Sequence, residues 1–103
     1  MNFSQTYDNT VRTLEIKLGD LVDSGSEFDF ERKGDVLDIE FEDGEKIVIT
    51  PQSPLEQLWV SANYGGHRFN WSGDAWLNEK DGEDLHSFLS ALMSRKLNDT
   101  IQV

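Results

Sequence analysis

Residues 27–44 read EFDFERKGDVLDIEFEDG and contain two runs in which acidic and large apolar side chains alternate. Successive side chains of a strand point to opposite faces, so Phe28 and Phe30 share one face and the acids beside them share the other. The second run repeats the pattern with Leu37, Ile39 and Phe41. The alternation predicts two antiparallel strands, each with one buried face and one face in water.

Turn signals separate these strands from each other and from further short strands. Lys33-Gly34 and Asp43-Gly44 are typical of hairpin turns, because glycine tolerates the positive φ that tight turns require. Three further signals follow: the segment from Pro51 to Pro54, the pair Gly65-Gly66, and Ser72-Gly73-Asp74. The strands that these signals separate are predicted at 46–49, 57–62, 67–71 and 75–79.

Both ends of the chain have the spacing of helices. Apolar residues three or four apart from Phe3 to Val22 predict a helix over 3–23, and a second is predicted over 83–97, with acids in its first turn and bases in its last. The order helix, strands, helix predicts a single α+β domain over 1–103. We expect a two-layer sandwich with two helices packed on one face of a five- to six-stranded antiparallel sheet.

Composition limits the function further. The 103 residues include no cysteine, which excludes disulfides, thiolate metal sites and cysteine nucleophiles. No apolar run is long enough to span a bilayer, so we expect a cytoplasmic protein without membrane contact. The net charge is −11, and residues 1–45 hold 13 acids against four bases. Such a field repels phosphate, and we therefore expect no binding to nucleic acid.

The acids of the first helix are not evenly distributed. At about 100° per residue, three acids share one flank with Arg12 and Gly19: Asp8, Glu15 and Asp23. If Glu27, Asp29 and Glu31 of the first strand border that flank, six or more carboxylates form an open acidic ridge at one edge of the sheet. One interpretation is a solvated face that aids solubility. The other is an open site for a hard cation, because oxygen ligands suit such ions, and an exposed row would bind weakly and with strong salt dependence.

Trp59 is the second unusual residue. If Leu58, Val60 and Ala62 face the core, alternation places Trp59 on the open face of the sheet, where it is a candidate anchor for a protein partner. The alternative is that the strand is turned the other way, so that Trp59 faces the core. Trp71 and Trp76 are expected in the core or packed against turns.

Three spaced motifs resemble the frataxin family. They are QSPLEQLW at 52–59, GGHRFNWSGDAW at 65–76 and DGEDL at 81–85, and GDVLDIEF at 34–41 resembles the second strand of that family. The resemblance extends from about residue 28 to 97. The first helix is similar only in its period and its acids.

The resemblance implies an acidic ridge that binds ferrous or ferric iron weakly through carboxylates, and an open sheet surface for partners. It implies a role in iron–sulfur cluster assembly, in which the protein binds the cysteine desulfurase and its scaffold complex and either regulates sulfur transfer or supplies iron. With Asp20 added from the helix, the candidate metal ligands are Glu15, Asp20, Asp23, Glu27, Asp29 and Glu31. With two acids of the second strand, the candidate partner-binding residues are Trp59, Gln57, Gln52, Asp38 and Glu40.

The chain also departs from the family pattern. On the sheet, Thr50-Pro51 stands where family members commonly have Asn followed by a basic residue. On the first helix, Gly19 and Arg12 reduce the number of acids in the ridge. We therefore expect fewer or weaker metal sites in a monomer, and leave iron-driven oligomers open. Two other functions remain alternatives to a non-enzymatic iron-binding regulator. They are a metal-independent acidic adaptor for a basic protein groove, and a weak ferroxidase.

Overall fold

The computed structural model describes residues 1–62 and 65–103. Two helices flank a run of strands and one short 3₁₀ turn: α1 (Phe3–Asp23), β1 (Phe28–Lys33), β2 (Val36–Phe41), β3 (Lys46–Gln52), the 3₁₀ turn (Ser53–Leu55), β4 (Gln57–Ala62), β5 (Gly65–Trp71), β6 (Trp76–Asn78) and α2 (Leu85–Leu97). Neither helix of the described part is long and apolar enough to cross a membrane.

The six strands form one antiparallel sheet in the order β1-β2-β3-β4-β5-β6, so each strand pairs with its neighbours in the chain. Alternate side chains of the strands pack in one core with the apolar faces of α1 and α2. Leu37, Ile49, Val60 and Phe69 in the sheet are fully buried, as are Leu14 and other residues of the helices. Both helices therefore cover the same face, and the predicted α+β two-layer sandwich is confirmed.

The ends of the helices follow from their capping residues. Asn2 accepts a hydrogen bond from the backbone of Gln5, whose side chain accepts from the Asn2 backbone in return, so α1 begins with a capping box. Asp84 is the N-cap of α2, and its carboxylate accepts a hydrogen bond from the Ser87 backbone at 3.1 Å. The last turn of α1 contains no basic residue, whereas the last turn of α2 contains Arg95 and Lys96.

Some predicted boundaries were wrong. Gly65 and Gly66 form no turn but begin β5, where they pair with Ala62 and Ser61. β3 continues through Pro51 to Gln52, because a strand tolerates a proline whose missing N–H is not needed for pairing. The second helix begins at Leu85, since Asp84 is its cap and lies outside the first turn.

Trp76 and Trp71 were expected to have similar surroundings, but only Trp76 is buried. Trp76 is 2% exposed and donates its indole N–H to the Thr10 hydroxyl at 2.9 Å. Trp71 lies against the Trp76 ring with 5.2 Å between centroids, but 40% of its surface remains exposed. Trp71 therefore packs against the Trp76 ring but is not itself buried in the core.

Candidate functional site

The first half of the acidic flank of α1 is neutralised by a cation from the sheet. Arg32 lies on the helix-facing side of β1, and its guanidinium contacts Asp8 at 2.5 Å and Glu15 at 3.1 Å. Arg12 lies 3.8 Å from the other Asp8 oxygen. The carboxylates raise the pKa of Arg32, chiefly through the hydrogen bond to Asp8. Glu15, a candidate metal ligand, is therefore part of an ion pair.

Further carboxylates lie at the C-terminal end of α1, just before β1 and just after β2. Asp20 and Asp23 lie in the last turn of α1, where the partial negative charge of the helix end disfavours anions. Glu27 lies just before β1 and its carboxyl lies against that of Glu42, since Phe28 pairs with Phe41 across β1 and β2. This contact, with the repulsion between the two groups, raises the pKa of Glu42. We call these four residues the acidic end of α1.

A lysine borders the acidic end from the side of α2. Lys96 contacts Asp43 at 2.7 Å and also contacts Glu45. The hydrogen bond from Lys96 lowers the pKa of Asp43 to about 2. A groove between these residues and the acidic end is lined by Glu27, Glu42, Asp43 and Lys96. Glu27 was a predicted metal ligand but Glu42 was not, because the alternation of the second strand does not indicate a contact with Glu27.

The remaining candidate metal ligands lie on the other face of the sheet. Asp29 pairs with Glu40 across β1 and β2, and Glu31 pairs with Asp38. Lys46 on β3 lies 3.5 Å from Asp38 and 3.9 Å from Glu40. Asp29 and Glu31 are therefore brought together with two candidate partner-binding residues, away from the helix-facing side. We call the four acids the open-face acids.

Trp59 lies on the open face, as predicted, because its neighbours Leu58 and Val60 are fully buried on the other side. Its indole N–H donates to the side-chain oxygen of Gln57 at 2.9 Å, and the Arg68 guanidinium lies 4.8 Å from the ring centroid. The ring is half-buried. These contacts hold the indole in one orientation on the sheet.

Gln57 connects Trp59 to the neighbouring strands. Its side-chain nitrogen donates to Asn70 and to Glu79, both at 3.1 Å. Gln52 pairs with Gln57 across β3 and β4, which places both candidate glutamines beside Trp59. Arg68, Asn70 and Glu79 were not predicted, because their proximity depends on the register of β4 against β5 and, for Glu79, of β5 against β6. We call Gln57, Trp59, Arg68, Asn70 and Glu79 the Trp59 surface.

These arrangements limit how a metal can be held. Within residues 1–62 and 65–103, no three histidine or acidic side chains converge closely enough to form a metal cage. The exposed carboxylates supply hard oxygen donors of the kind that iron and other hard cations accept. Such a surface can bind a cation by its summed charge and by one or two carboxylates, with weak affinity.

Comparison with known proteins agrees with this fold and its motifs. A model of the frataxin-like domain matches residues 1–99. The chain belongs to the frataxin family. A relative from Janthinobacterium sp. (strain Marseille), named iron–sulfur cluster assembly protein CyaY, is 40% identical over 97 residues, which cover 91% of this chain and 86% of the relative. A protein of the same name from Psychromonas ingrahamii is 29% identical over 99 residues, 96% of this chain and 91% of that protein.

Solved frataxin structures have the same architecture. Frataxin from Psychromonas ingrahamii superposes with a TM-score of 0.82 at 28% identity, covering 99% of this chain and 97% of that one. A trimeric yeast frataxin complexed with ferrous iron superposes with a TM-score of 0.79, covering 90% and 86%. At 23% identity the yeast protein supports the fold alone.

Proposed function

We propose that this protein is a non-enzymatic, iron-binding component of iron–sulfur cluster assembly that acts in the cytoplasm as a monomeric single domain. In this proposal the acidic end of α1 binds ferrous or ferric iron weakly. The Trp59 surface and the open-face acids bind the cysteine desulfurase and its scaffold complex. The names of the curated relatives support the assembly role.

One observation carries the metal half of the proposal: the acidic end places negative charge where it opposes folding. Asp20 and Asp23 occupy a helix C-terminus without a compensating base, and Glu27 contacts Glu42. A bound cation would relieve both sources of repulsion. Carboxylates that only maintained solubility could lie anywhere on the surface, so their concentration at this junction supports a cation-binding role.

The partner half is supported by the composition of the open face. Aromatic and arginine side chains dominate binding hot spots, and Trp59 and Arg68 are stacked there. The hydrogen bond from the indole to Gln57 orients the ring before binding, which reduces the entropy lost on association. The open-face acids add a negative border that suits a basic partner surface.

An anaerobic titration with ferrous iron, followed by the amide NMR signals, tests the metal half. We expect the largest changes at residues 20–27 and 42–43, and little change at Trp59. Asp23→Asn/Glu27→Gln should weaken binding clearly. The matched control Glu56→Gln/Glu83→Gln removes two exposed charges elsewhere and should retain most of the affinity. If no signal of α1 or β1 moves in the wild-type protein, iron binding is refuted.

The metal-independent adaptor is favoured by one observation, the lack of a three-ligand group among the described residues. It predicts that the desulfurase binds equally well with and without ferrous iron, and that the NMR titration shows nothing. The ferroxidase alternative predicts that the protein accelerates oxygen consumption by ferrous iron. A rate equal to that of free iron in the same buffer would dismiss it.

A further inference from the structure

The position of Arg32 distinguishes it from the other bases near the acidic flank. On β1 it follows Phe28 and Phe30 at steps of two, so its side chain points toward α1. It is only 19% exposed, whereas Arg12 is 68% exposed. Its Nε donates to the Gly34 carbonyl at 3.1 Å, which fixes the guanidinium at the end of the strand.

The Arg32 guanidinium occupies the space between two carboxylates of α1. One terminal nitrogen contacts Asp8 and the other contacts Glu15. These residues lie two turns apart, about 10 Å along the helix axis, and the planar fork of arginine spans them. An arginine keeps its charge at every physiological pH, so this position holds a permanent positive charge.

We propose that Arg32 is an internal counterion that prevents cations from binding at Asp8 and Glu15, and so confines cation binding to the acidic end of α1. A metal ion at Asp8 and Glu15 would have to displace two charge-assisted hydrogen bonds. At the acidic end it would break no ion pair, because none of the four carboxylates there lies within 4 Å of a base in residues 1–62 and 65–103. Arg32 is thus a specificity-determining residue, and this inference rests on the proposed cation binding.

Amide NMR signals with Mn²⁺ alone as the paramagnetic probe can test this role. The amides of residues 5–11 are suitable reporters, because Asp8 lies about 22 Å along the helix from Asp23. In the wild-type protein we expect Mn²⁺ to broaden residues 20–27 and to leave the reporters sharp. Arg32→Gln should broaden the reporters at the same Mn²⁺ concentration, and residues 20–27 should respond as before.

Two further variants keep the test decisive. Arg12→Gln removes a nearby base but leaves Arg32 in place, so its reporters should stay sharp. Asp8→Asn/Glu15→Gln should leave the wild-type Mn²⁺ affinity unchanged within about twofold, which tests the inference even if Arg32→Gln does not fold. Reporters that broaden in the wild-type protein, or that stay sharp in folded Arg32→Gln, would overturn the role of Arg32.

The outcomes also separate this inference from the proposed function. If Mn²⁺ broadens only residues 20–27 in both the wild-type protein and Arg32→Gln, Arg32 has no such role and cation binding at the acidic end stands. If only the reporters of Arg32→Gln broaden, Arg32 acts as proposed and the acidic end binds no cation. If no signal broadens in any variant, both proposals fail.

Discussion

At the acidic end of α1 the side chains repel one another, whereas on the Trp59 surface they hold one another in place. Glu27 and Glu42 share a contact that raises the pKa of Glu42. Trp59, Gln57 and Arg68 are joined by a hydrogen bond and a stacked guanidinium. The first region is suited to a diffuse, exchangeable cation, and the second to a partner that requires a fixed shape. Mutations in the two regions should therefore have different effects on stability and on binding.

Loss of Trp59 should destabilise the fold less than loss of a core tryptophan. Trp76→Ala should reduce the free energy of unfolding by about 3–5 kcal/mol, because it removes a buried ring and its hydrogen bond to Thr10. Trp59→Ala should cost about 1–2 kcal/mol, since it removes a half-buried ring and its hydrogen bond to Gln57. Urea unfolding measures both. An equal loss in the two variants would mean that Trp59 supports the core and is not available to a partner.

A smaller effect of opposite sign is expected at the acidic end. Asp23→Asn/Glu27→Gln should raise the melting temperature in low salt by about 2–5 °C without iron, because it removes an anion from a helix C-terminus and a like-charge contact. The control Glu56→Gln/Glu83→Gln should change it less. Scanning calorimetry at low and high salt checks this, and the gain should shrink in high salt. A lower melting temperature would indicate that these carboxylates are paired in the native state.

Glu42 and Asp43 should make small contributions to stability that depend on pH in opposite directions. The pKa of Glu42 is raised, so the native state binds this proton more tightly than the unfolded state. Its contribution is present below the unfolded value near 4.5 and is lost as pH rises through the folded pKa. The pKa of Asp43 is lowered to about 2, so its contribution is present above about 4 and is lost as pH falls toward 2.

Melting temperature measured against pH should resolve the two carboxyls. Relative to Glu42→Gln, the wild-type protein should gain stability as pH falls from 7 toward 4.5. Relative to Asp43→Asn, it should lose stability as pH falls from 4 to 2. Identical profiles for the wild-type protein and Glu42→Gln would contradict the contact between Glu27 and Glu42.

The sequence predicted the fold well because the alternation of acids and aromatics determines which face of each strand is buried. The same parity correctly placed Trp59 on the open face. Gly65 and Gly66 were wrongly predicted to form a turn, because a pair of glycines is typical of turns and the strand pairing of these residues was not considered. Gly65 has a φ of 145°, which suits glycine, and both residues continue the ladder with β4.

The candidate site was harder to predict, because a contact between side chains depends on register and on helix placement. The alternation that places Phe28 and Phe30 toward α1 also places Arg32 there, although no contact was predicted for Arg32. The stacking of Arg68 on Trp59 required the register of β4 and β5, which the sequence does not specify. Asp29 and Glu31 were grouped with α1, although their parity places them on the opposite face.

In the proposed function the open-face acids attract the cysteine desulfurase and the Trp59 surface retains it. Association and dissociation rates with purified cysteine desulfurase, measured over a range of salt, test it directly. Asp29→Asn/Glu31→Gln should slow association and flatten its salt dependence, with dissociation nearly unchanged. Trp59→Ala should accelerate dissociation about 30-fold, equivalent to about 2 kcal/mol, with association nearly unchanged. If both variants alter the same rate, or if neither alters binding, the division of roles between the two regions is wrong.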